Sequence, residues 1–171
     1  MSGDRPGAEA FEEAARQRVQ AAGLDLASFG AMFNLLRAST RVFGQLESTV
    51  HRPAGWSLAG FRVMFTLWVV GPCEVRDIAH LSGLSRASVS AVLNTLERDG
   101  LAVRLPHPSD GRLVTATLTA DGRQRLVSAY TAQNRVERDL LGDLDDGEVA
   151  LLTALLERVL RADPLPGSSK H

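Results

Sequence analysis

The spacing of apolar residues predicts two helices in the N-terminal third of the chain. Apolar side chains recur at intervals of three and four over residues 8–22 and again over about 25–50, with Gly23 between the two segments. The first helix has a thin apolar face, whereas the second has apolar residues on more than one side and has to be covered on two sides. The residues concerned in the second helix are Phe29, Met32, Phe33, Leu36, Phe43 and Leu46. Such a helix is typical of a core shared by two chains.

Three shorter helices are predicted in the middle of the chain. Ser57 is a favourable N-cap residue, and Gly71-Pro72 ends the apolar pattern that follows it. Two further helical segments are joined through Ser82-Gly83-Leu84. The three predicted helices span about 58–70, 74–81 and 86–99.

A β-hairpin is predicted after these helices. Residues 101–105 and 112–118 alternate between apolar and polar side chains, and residues 106–111 have the composition of a turn. The alternation predicts that Leu101, Val103 and Leu105 share one face of the first strand and that Val114, Ala116 and Leu118 point inward from the second.

The C-terminal third predicts two more helices. Thr119 is placed to cap a helix over about 120–141. Asp145, with Glu148 three residues later, has the pattern of a capping box before a last helix that runs to about residue 162. The broad apolar face of this helix consists of Leu151, Leu152, Leu155, Leu156, Val159 and Leu160.

Composition sets limits without indicating a function. The 171 residues are 44% hydrophobic and 23% charged, which is ordinary for a globular protein. The net charge of -1 provides no overall attraction to nucleic acid, so any such binding has to come from local placement of charge. No apolar run approaches the ~20 residues of a membrane-spanning helix, the N-terminus lacks the order of a signal peptide, and Cys73 is the only cysteine. A cytoplasmic location without membrane association is therefore expected.

Residues 75–94 have the pattern of a helix-turn-helix. Ala79 is small where two helices would cross, Gly83 tolerates the backbone conformation of the turn, and Val89 would fill the core under the second helix. On that second helix Val89, Val92, Leu93 and Leu96 share one face, while small and polar residues occupy the other. An exposed face of small residues allows a helix to enter the DNA major groove, where Asn94 could form two hydrogen bonds to adenine. The alternative interpretation is that these small and polar residues simply face solvent and do not bind DNA.

Four segments, taken together, resemble the MarR family of bacterial regulators. They are the recognition-helix run Ser85–Ser90, the Leu-Glu-x-x-Gly-Leu bridge at 96–101, the Asp-x-Arg wing motif at 110–112 and the Leu-Thr-x-x-Gly helix start at 118–122. They occur in the expected order and spacing, and the resemblance covers about 25–162. It implies a winged helix-turn-helix fold, mostly α with a small antiparallel β-hairpin wing, flanked by helices that form a homodimer. The domains so predicted are a tail (1–7), dimerisation helices (8–56), the DNA-binding domain (57–119), further dimerisation helices (120–162) and a second tail (163–171).

The resemblance also implies roles for individual residues in binding double-stranded DNA with an inverted-repeat operator. Asp110 would hold the wing while Arg112 approaches the DNA, although an Asp-Gly pair is also an ordinary hairpin turn. The family often has arginine where this chain has Gly111 and Ala91, so His107 and Arg104 are candidates to replace the lost phosphate contacts. The predicted DNA-contacting residues are Ser85, Arg86, Ala87, Ser88, Ser90, Ala91, Asn94, Arg98, Arg104, His107, Asp110 and Arg112.

Regulators that resemble this chain are commonly released from DNA by small aromatic or phenolic molecules. The resemblance implies a crevice between the dimerisation helices and the winged domain. Its candidate lining residues are Met32, Leu36, His51, Trp56, Phe61 and Phe65, with Arg62 as a partner for a carboxylate. The same aromatic residues at helical spacing are also typical of an ordinary core.

Catalysis is not expected. The four histidines lack the spacing of metal ligands, and there is no phosphate-binding loop, nucleophile motif or carboxylate pair, so neither a metal nor a cofactor is predicted. Cys73 lacks a surrounding basic cluster, which disfavours redox sensing. The leading hypothesis is therefore a repressor of its own or a neighbouring gene. An activator, a regulator without a small-molecule effector, and a winged helix repurposed to bind proteins remain alternatives.

Overall fold

A computed structural model describes residues 7–107 and 110–162, including all their side chains except those of residues 8, 107 and 110–113. The described part of the chain is mostly helical with one small antiparallel sheet, as predicted. The helices are α1 (Ala8–Ala21), α2 (Leu26–Leu46), α3 (Leu58–Val70), α4 (Val75–Ser82), α5 (Arg86–Arg98), α6 (Ala120–Leu140) and α7 (Asp146–Leu160), and a π-helical segment (Glu47–His51) continues α2. The strands are β1 (Cys73–Glu74), β2 (Ala102–His107) and β3 (Asp110–Leu118).

The described residues up to Gly44 form one compact unit, and those from Gln45 form another. The first unit is a pair of helices, α1 and most of α2. The ring of Phe11 lies 6.1 Å from that of Phe33, and Glu12 accepts a hydrogen bond from Arg37 at 2.7 Å. Glu12 also accepts from Asn34 at 3.2 Å and lies 3.5 Å from Arg16, so the two helices are joined by a small aromatic cluster and a polar cluster centred on Glu12.

The second unit is built around α3. Val63, Met64 and Leu67 are fully buried, together with Ile78 of α4 and Leu126 of α6. The N-caps predicted at Ser57, Thr119 and Asp145 are all present, each side chain accepting a hydrogen bond from the backbone three residues later. The helix boundaries in this unit therefore follow local capping signals in the sequence.

The sheet differs from the prediction in two ways. A third strand, β1, was not predicted; it pairs with β3 through Cys73↔Ala116, giving the order β1-β3-β2. The prediction that Val114 points inward was also wrong, because Val114 is 48% exposed; Val103 and Leu105 on β2 are 39% and 48% exposed. The buried positions lie at the base of the hairpin, where Ala102 pairs with Leu118 and Arg104 pairs with Ala116. The strands continue beyond the core, so alternation alone did not indicate burial.

The start of α6 is docked closely against the base of the hairpin. Thr119 Oγ1 accepts from the backbone N–H of Gly122 at 3.0 Å and donates to the carbonyl of Gly100 at 2.8 Å. A Cβ on Gly122 would lie 2.0 Å from the carbonyl oxygen of Leu101. Only glycine fits there, which is the physical reason for the Leu-Thr-x-x-Gly pattern at this point.

The last helix, α7, is exposed along most of its length, and only Val149 and Leu156 within it are half-buried. Its capping box is complete, since Asp145 accepts from the Glu148 N–H at 2.9 Å while the Glu148 carboxylate accepts from the Asp145 N–H at 3.0 Å. None of its residues is buried, and Leu151 is 60% exposed. In the described ranges, no helix is long and apolar enough to cross a membrane.

Candidate nucleic-acid interface

Helix α5 is held by a buried apolar face and presents the opposite face to solvent. Val89, Leu93 and Leu96 are buried, and Val92 is half-buried. The turn before the helix is closed by Gly83, whose φ of 66° is left-handed, and Ala79 is buried where α4 and α5 meet. The three positions that indicated a helix-turn-helix in the sequence thus have the expected geometry.

The solvent face of α5 combines small side chains with polar ones. Ala87, Ala91 and Asn94 are exposed along one line of the helix, and Ser90 beside them is half-buried. Arg98, at the end of this face, donates to Asp99 at 3.0 Å. The other predicted DNA-contacting residues of this helix start, Ser85, Arg86 and Ser88, are also exposed. A helix with small residues at the centre of its exposed face can approach base edges closely.

The N-terminus of α5 faces a shallow depression formed with α4. The hydroxyls of Ser85 and Ser88 lie 2.8 Å apart, and Ser85 also caps the helix. The depression has a volume of about 820 Å³ and is lined by the turn, by Arg86, and by Arg76 and His80 of α4. Partial positive charge at a helix N-terminus and the exposed guanidinium of Arg86 favour phosphate. Arg76, in contrast, is paired with the carboxylates of Glu74 and of Asp77, which also lines the depression. Arg76 and His80 were not predicted as site residues; their signal was exposure on α4 opposite Ile78.

Arg104 of β2 is bound to α5. Its Nη1 donates to Asn94 Oδ1 at 2.9 Å and also contacts Glu97 Oε2, while Nη2 donates to the carbonyl of Ser90 at 3.4 Å. The backbone N–H of Arg104 donates to Glu97 Oε1 at 3.0 Å. Arg104 was predicted as a replacement phosphate contact, but this guanidinium is engaged within the protein. Glu97 was not predicted as a site residue, although it belongs to the Leu-Glu-x-x-Gly-Leu pattern.

The far end of the hairpin carries the remaining predicted contacts. His107 pairs with Asp110 through the backbone, and Arg112 follows within β3. The side chains of His107, Asp110 and Arg112 lie outside the described residues. Their predicted roles in DNA binding therefore stay predictions.

Comparison with known proteins agrees with the helix-turn-helix geometry of α4 and α5. Residues 56–114 match the model of the MarR family, a range that begins before α3 and ends within β3. Over 136 residues, or 80% of each chain, the sequence is 32% identical to the uncharacterised HTH-type transcriptional regulator YwaE of Bacillus subtilis. The chain belongs to the MarR family. It is a DNA-binding transcriptional regulator rather than an enzyme.

Solved structures of similar proteins have the same fold as this MarR-family chain. The transcriptional repressor CouR, bound to a 23-mer DNA duplex, is 30% identical, with a TM-score of 0.70 over 81% of this chain and 99% of CouR. BpsR of Bordetella bronchiseptica, whose DNA binding is regulated by 6-hydroxynicotinic acid, is 24% identical, with a TM-score of 0.69 over 77% of this chain and 98% of BpsR. The winged helix-turn-helix fold is thus shared with both proteins.

The residues predicted to line an effector crevice fall in both units of the MarR-family chain. Met32 and Leu36 are exposed in the first unit. In the second unit His51 is fully buried, its ring stacked on Phe61 at 4.4 Å and its Nε2 within 2.9 Å of Gln133 Oε1. Trp56 is buried, and its backbone N–H donates to the carbonyl of His51 at 2.9 Å. Arg62 lies instead beside the helix-turn-helix, 2.9 Å from where a Cβ on Gly83 would be. No observation tests the effector role of these residues, which stays a prediction.

An aromatic cluster in the second unit is larger than the sequence suggested. Phe65 lies 5.9 Å from Phe61 and 5.3 Å from Tyr130, and Trp68 lies 5.8 Å from Phe65. Trp68 and Tyr130 border an open groove of about 330 Å³ on α6. Neither was predicted as a site residue, because residues 68 and 130 are far apart in the sequence and only the packing of α3 on α6 brings them together.

The environment of Cys73 is unfavourable for a redox sensor. Burial raises the pKa of this half-buried thiol, and the carboxylates of Asp77 and Glu74 raise the pKa further. A higher pKa leaves less thiolate at neutral pH, and the thiolate is the species that peroxide oxidises.

Replacement of Cys73 is therefore expected to leave function unchanged. The Cys73→Ser variant should bind DNA within about twofold of the parent protein, because the thiol contributes no charge at neutral pH. The measurement is a mobility-shift titration of both proteins with and without hydrogen peroxide. Release of the parent by peroxide, absent in Cys73→Ser, would be incompatible with this assignment.

Proposed function

We propose that the chain is a homodimeric repressor that inserts α5 of each protomer into the major groove of an inverted-repeat operator. The observation that carries the proposal is the division of α5 into a buried apolar face and an exposed face of Ala87, Ala91 and Asn94. Such a helix is anchored by one side and shaped for a groove on the other. The repressor CouR, bound to DNA, supports the same mode of action.

The proposed dimer would cover apolar faces that a single chain leaves in water. Met32, Leu36 and Phe43 of α2 are exposed, and so are Leu151 and Leu155 of α7. Contiguous exposed apolar patches mark interfaces between proteins, and a second copy would provide the same face in return. Residues 8–56 and 120–162 would thus be the dimerisation regions, and 57–119 the DNA-binding domain, of a cytoplasmic protein.

An aromatic effector is the second element of the proposal. We infer that a small hydroxylated aromatic acid lowers the affinity of the dimer for DNA, as 6-hydroxynicotinic acid regulates DNA binding by BpsR. The buried ring of His51 supports it, because its Nε2 is engaged by Gln133 while its Nδ1 has no hydrogen-bond partner among the described residues and could meet a polar atom of such a molecule.

A mobility shift tests the function directly. The probe is the DNA upstream of the protein's own gene, and unrelated DNA of equal length is the control. Preferential binding of the upstream DNA by at least about a thousandfold is expected of a specific regulator. Equal binding of both probes would refute the proposal. Addition of 6-hydroxynicotinic acid to the same assay tests release, and a reporter fused to the upstream DNA separates a repressor from an activator.

The wing is expected to contribute a phosphate contact through Arg112. The Arg112→Ala variant should bind all DNA sequences more weakly and lower the slope of log affinity against log salt by about one unit, because one cation no longer displaces a counterion. Asp110→Ala should have a smaller effect, through the turn alone. The measurement is fluorescence anisotropy at several salt concentrations; an unchanged affinity and slope in Arg112→Ala would restrict the wing to a structural role.

A further inference from the structure

The contact between Arg104 and Asn94 determines which end of the Asn94 amide faces DNA. A guanidinium group carries only donors, so the group that it meets at 2.9 Å has to be the amide oxygen of Asn94. The amide nitrogen then points away from Arg104. It has no hydrogen-bond partner within the described residues, and the side chain is exposed. Asn94 therefore presents two N–H donors from the face of α5 that carries Ala87 and Ala91.

This orientation is held from more than one side. Glu97 accepts from both the backbone and the side chain of Arg104, and the carbonyl of Ser90 accepts from the second guanidinium nitrogen. The Arg104 side chain is also only 27% exposed, which restricts its freedom. The guanidinium is thus fixed before DNA arrives, and the amide oxygen of Asn94 is directed to it in advance.

The base edges differ in what they offer to such a donor. Guanine presents two adjacent acceptors in the major groove, N7 and O6, whereas adenine presents the N7 acceptor beside an N6 donor. When both ends of its amide are available, an asparagine forms two hydrogen bonds with adenine. One whose oxygen is held by an arginine is left with donors, which match guanine and conflict with the adenine amino group.

We propose that Arg104 is a specificity-determining positioning residue that sets Asn94 to read guanine in each half-site. The inference rests on the proposed reading of DNA by α5 and replaces the adenine contact that the sequence suggested. Arg104 acts through Asn94 and Glu97, and its charge is already paired with a carboxylate. It therefore differs from a phosphate contact, which would add affinity for every sequence alike.

The experiment compares variants at the base pair that Asn94 reads. To identify that base pair, binding sites are selected from random DNA with the parent protein and with Asn94→Ala. The base pair is the one at which the parent has a preference and Asn94→Ala has none. Affinities for operators carrying G·C or A·T at this pair are then measured by fluorescence anisotropy. The parent protein should prefer G·C by about tenfold. In Arg104→Met, which keeps the aliphatic stem but has no donor, the preference should fall to about twofold or less, or turn to A·T.

Two further readouts separate positioning from a phosphate contact. The conservative variant Arg104→Lys still has a donor for Asn94 and should keep most of the G·C preference. The salt slope of Arg104→Met should match that of the parent, whereas a lost phosphate contact lowers it by about one unit. An Arg104→Met protein that keeps the full preference for G·C overturns the inference. An Arg104→Met protein that binds both operators more weakly by the same factor and has a lower salt slope also overturns it. A parent protein that prefers A·T overturns it as well.

A second variant decides the question where Arg104→Met does not fold. Asn94→Asp keeps an acceptor for Arg104 but turns an acceptor instead of a donor towards the base, so the preference for G·C should be lost. Retention of that preference would contradict the inference. Failure of the proposed function has a different signature, because Asn94→Ala would then change the preference at no base pair and Ala91→Leu would bind the operator like the parent. In that case both proposals fall.

Discussion

Replacement of Ala87 or Ala91 with leucine is expected to abolish sequence-specific DNA binding while the protein stays folded. Both alanines are exposed, so neither change disturbs the core formed by Val89, Leu93 and Leu96. Leucine is also a good helix former, so α5 itself should persist. The added side chain would project from the face that has to lie against the base edges, so the helix could no longer approach them as closely. A loss of at least about a hundredfold in operator affinity is expected, since each disrupted base contact costs ~1–3 kcal/mol.

Matched variants make this test specific to bulk at the reading face. Ala91→Ser adds a single oxygen and should retain most of the affinity. Ala87→Ser makes the same small change at the other alanine and should likewise bind nearly as well as the parent. Circular dichroism and thermal unfolding check the fold of each variant. Operator binding by a folded Ala87→Leu protein at the parental affinity would mean that α5 faces away from DNA.

Charges placed on the apolar face of α7 are expected to separate the dimer and thereby remove specific binding. Leu155 and Val159 are 46% and 53% exposed in a single chain, and none of α7 is buried. In the double variant Leu155→Glu, Val159→Glu, a second copy would have to desolvate two carboxylates against apolar surface, which is strongly unfavourable. A monomer reads one half-site only. Loss of the linked second contact should weaken operator binding by about 10²- to 10⁴-fold.

The control places the same two charges on the other side of α7. Ala150 and Ala154 are exposed and lie off the apolar face, with the same spacing as Leu155 and Val159, so Ala150→Glu, Ala154→Glu should remain dimeric and bind DNA. Sedimentation equilibrium gives the mass of each variant, and anisotropy gives the affinity. A Leu155→Glu, Val159→Glu protein that is still a dimer, or a monomer with parental operator affinity, would contradict the proposed role of α7.

Elements specified by local signals were predictable from the sequence. Thr119 and Asp145 begin their helices as expected, because an N-cap needs only one side chain and the backbone three residues later. Gly83 adopts the left-handed conformation that the turn of a helix-turn-helix needs. The exposed face of α5 followed from helical periodicity, since the apolar residues of the same helix are buried.

Features that depend on distant parts of the chain were not predictable in the same way. Strand β1 has two residues and exists only because Cys73 and Glu74 meet β3. Val114 was predicted to point inward but is exposed, because the strands of the hairpin continue beyond the core. The partner of Arg104 is seven residues away on another element, so an unpaired cation was the natural expectation from the sequence.

The central claim, that two copies of α5 read a two-fold symmetric operator, is tested most directly by selection of binding sites from random DNA with the purified protein. The account predicts an inverted repeat whose half-site centres lie about 34–36 Å apart, one turn of B-DNA, with weaker preference between them. Enriched sequences without two-fold symmetry, or no enrichment over unselected DNA, would contradict it.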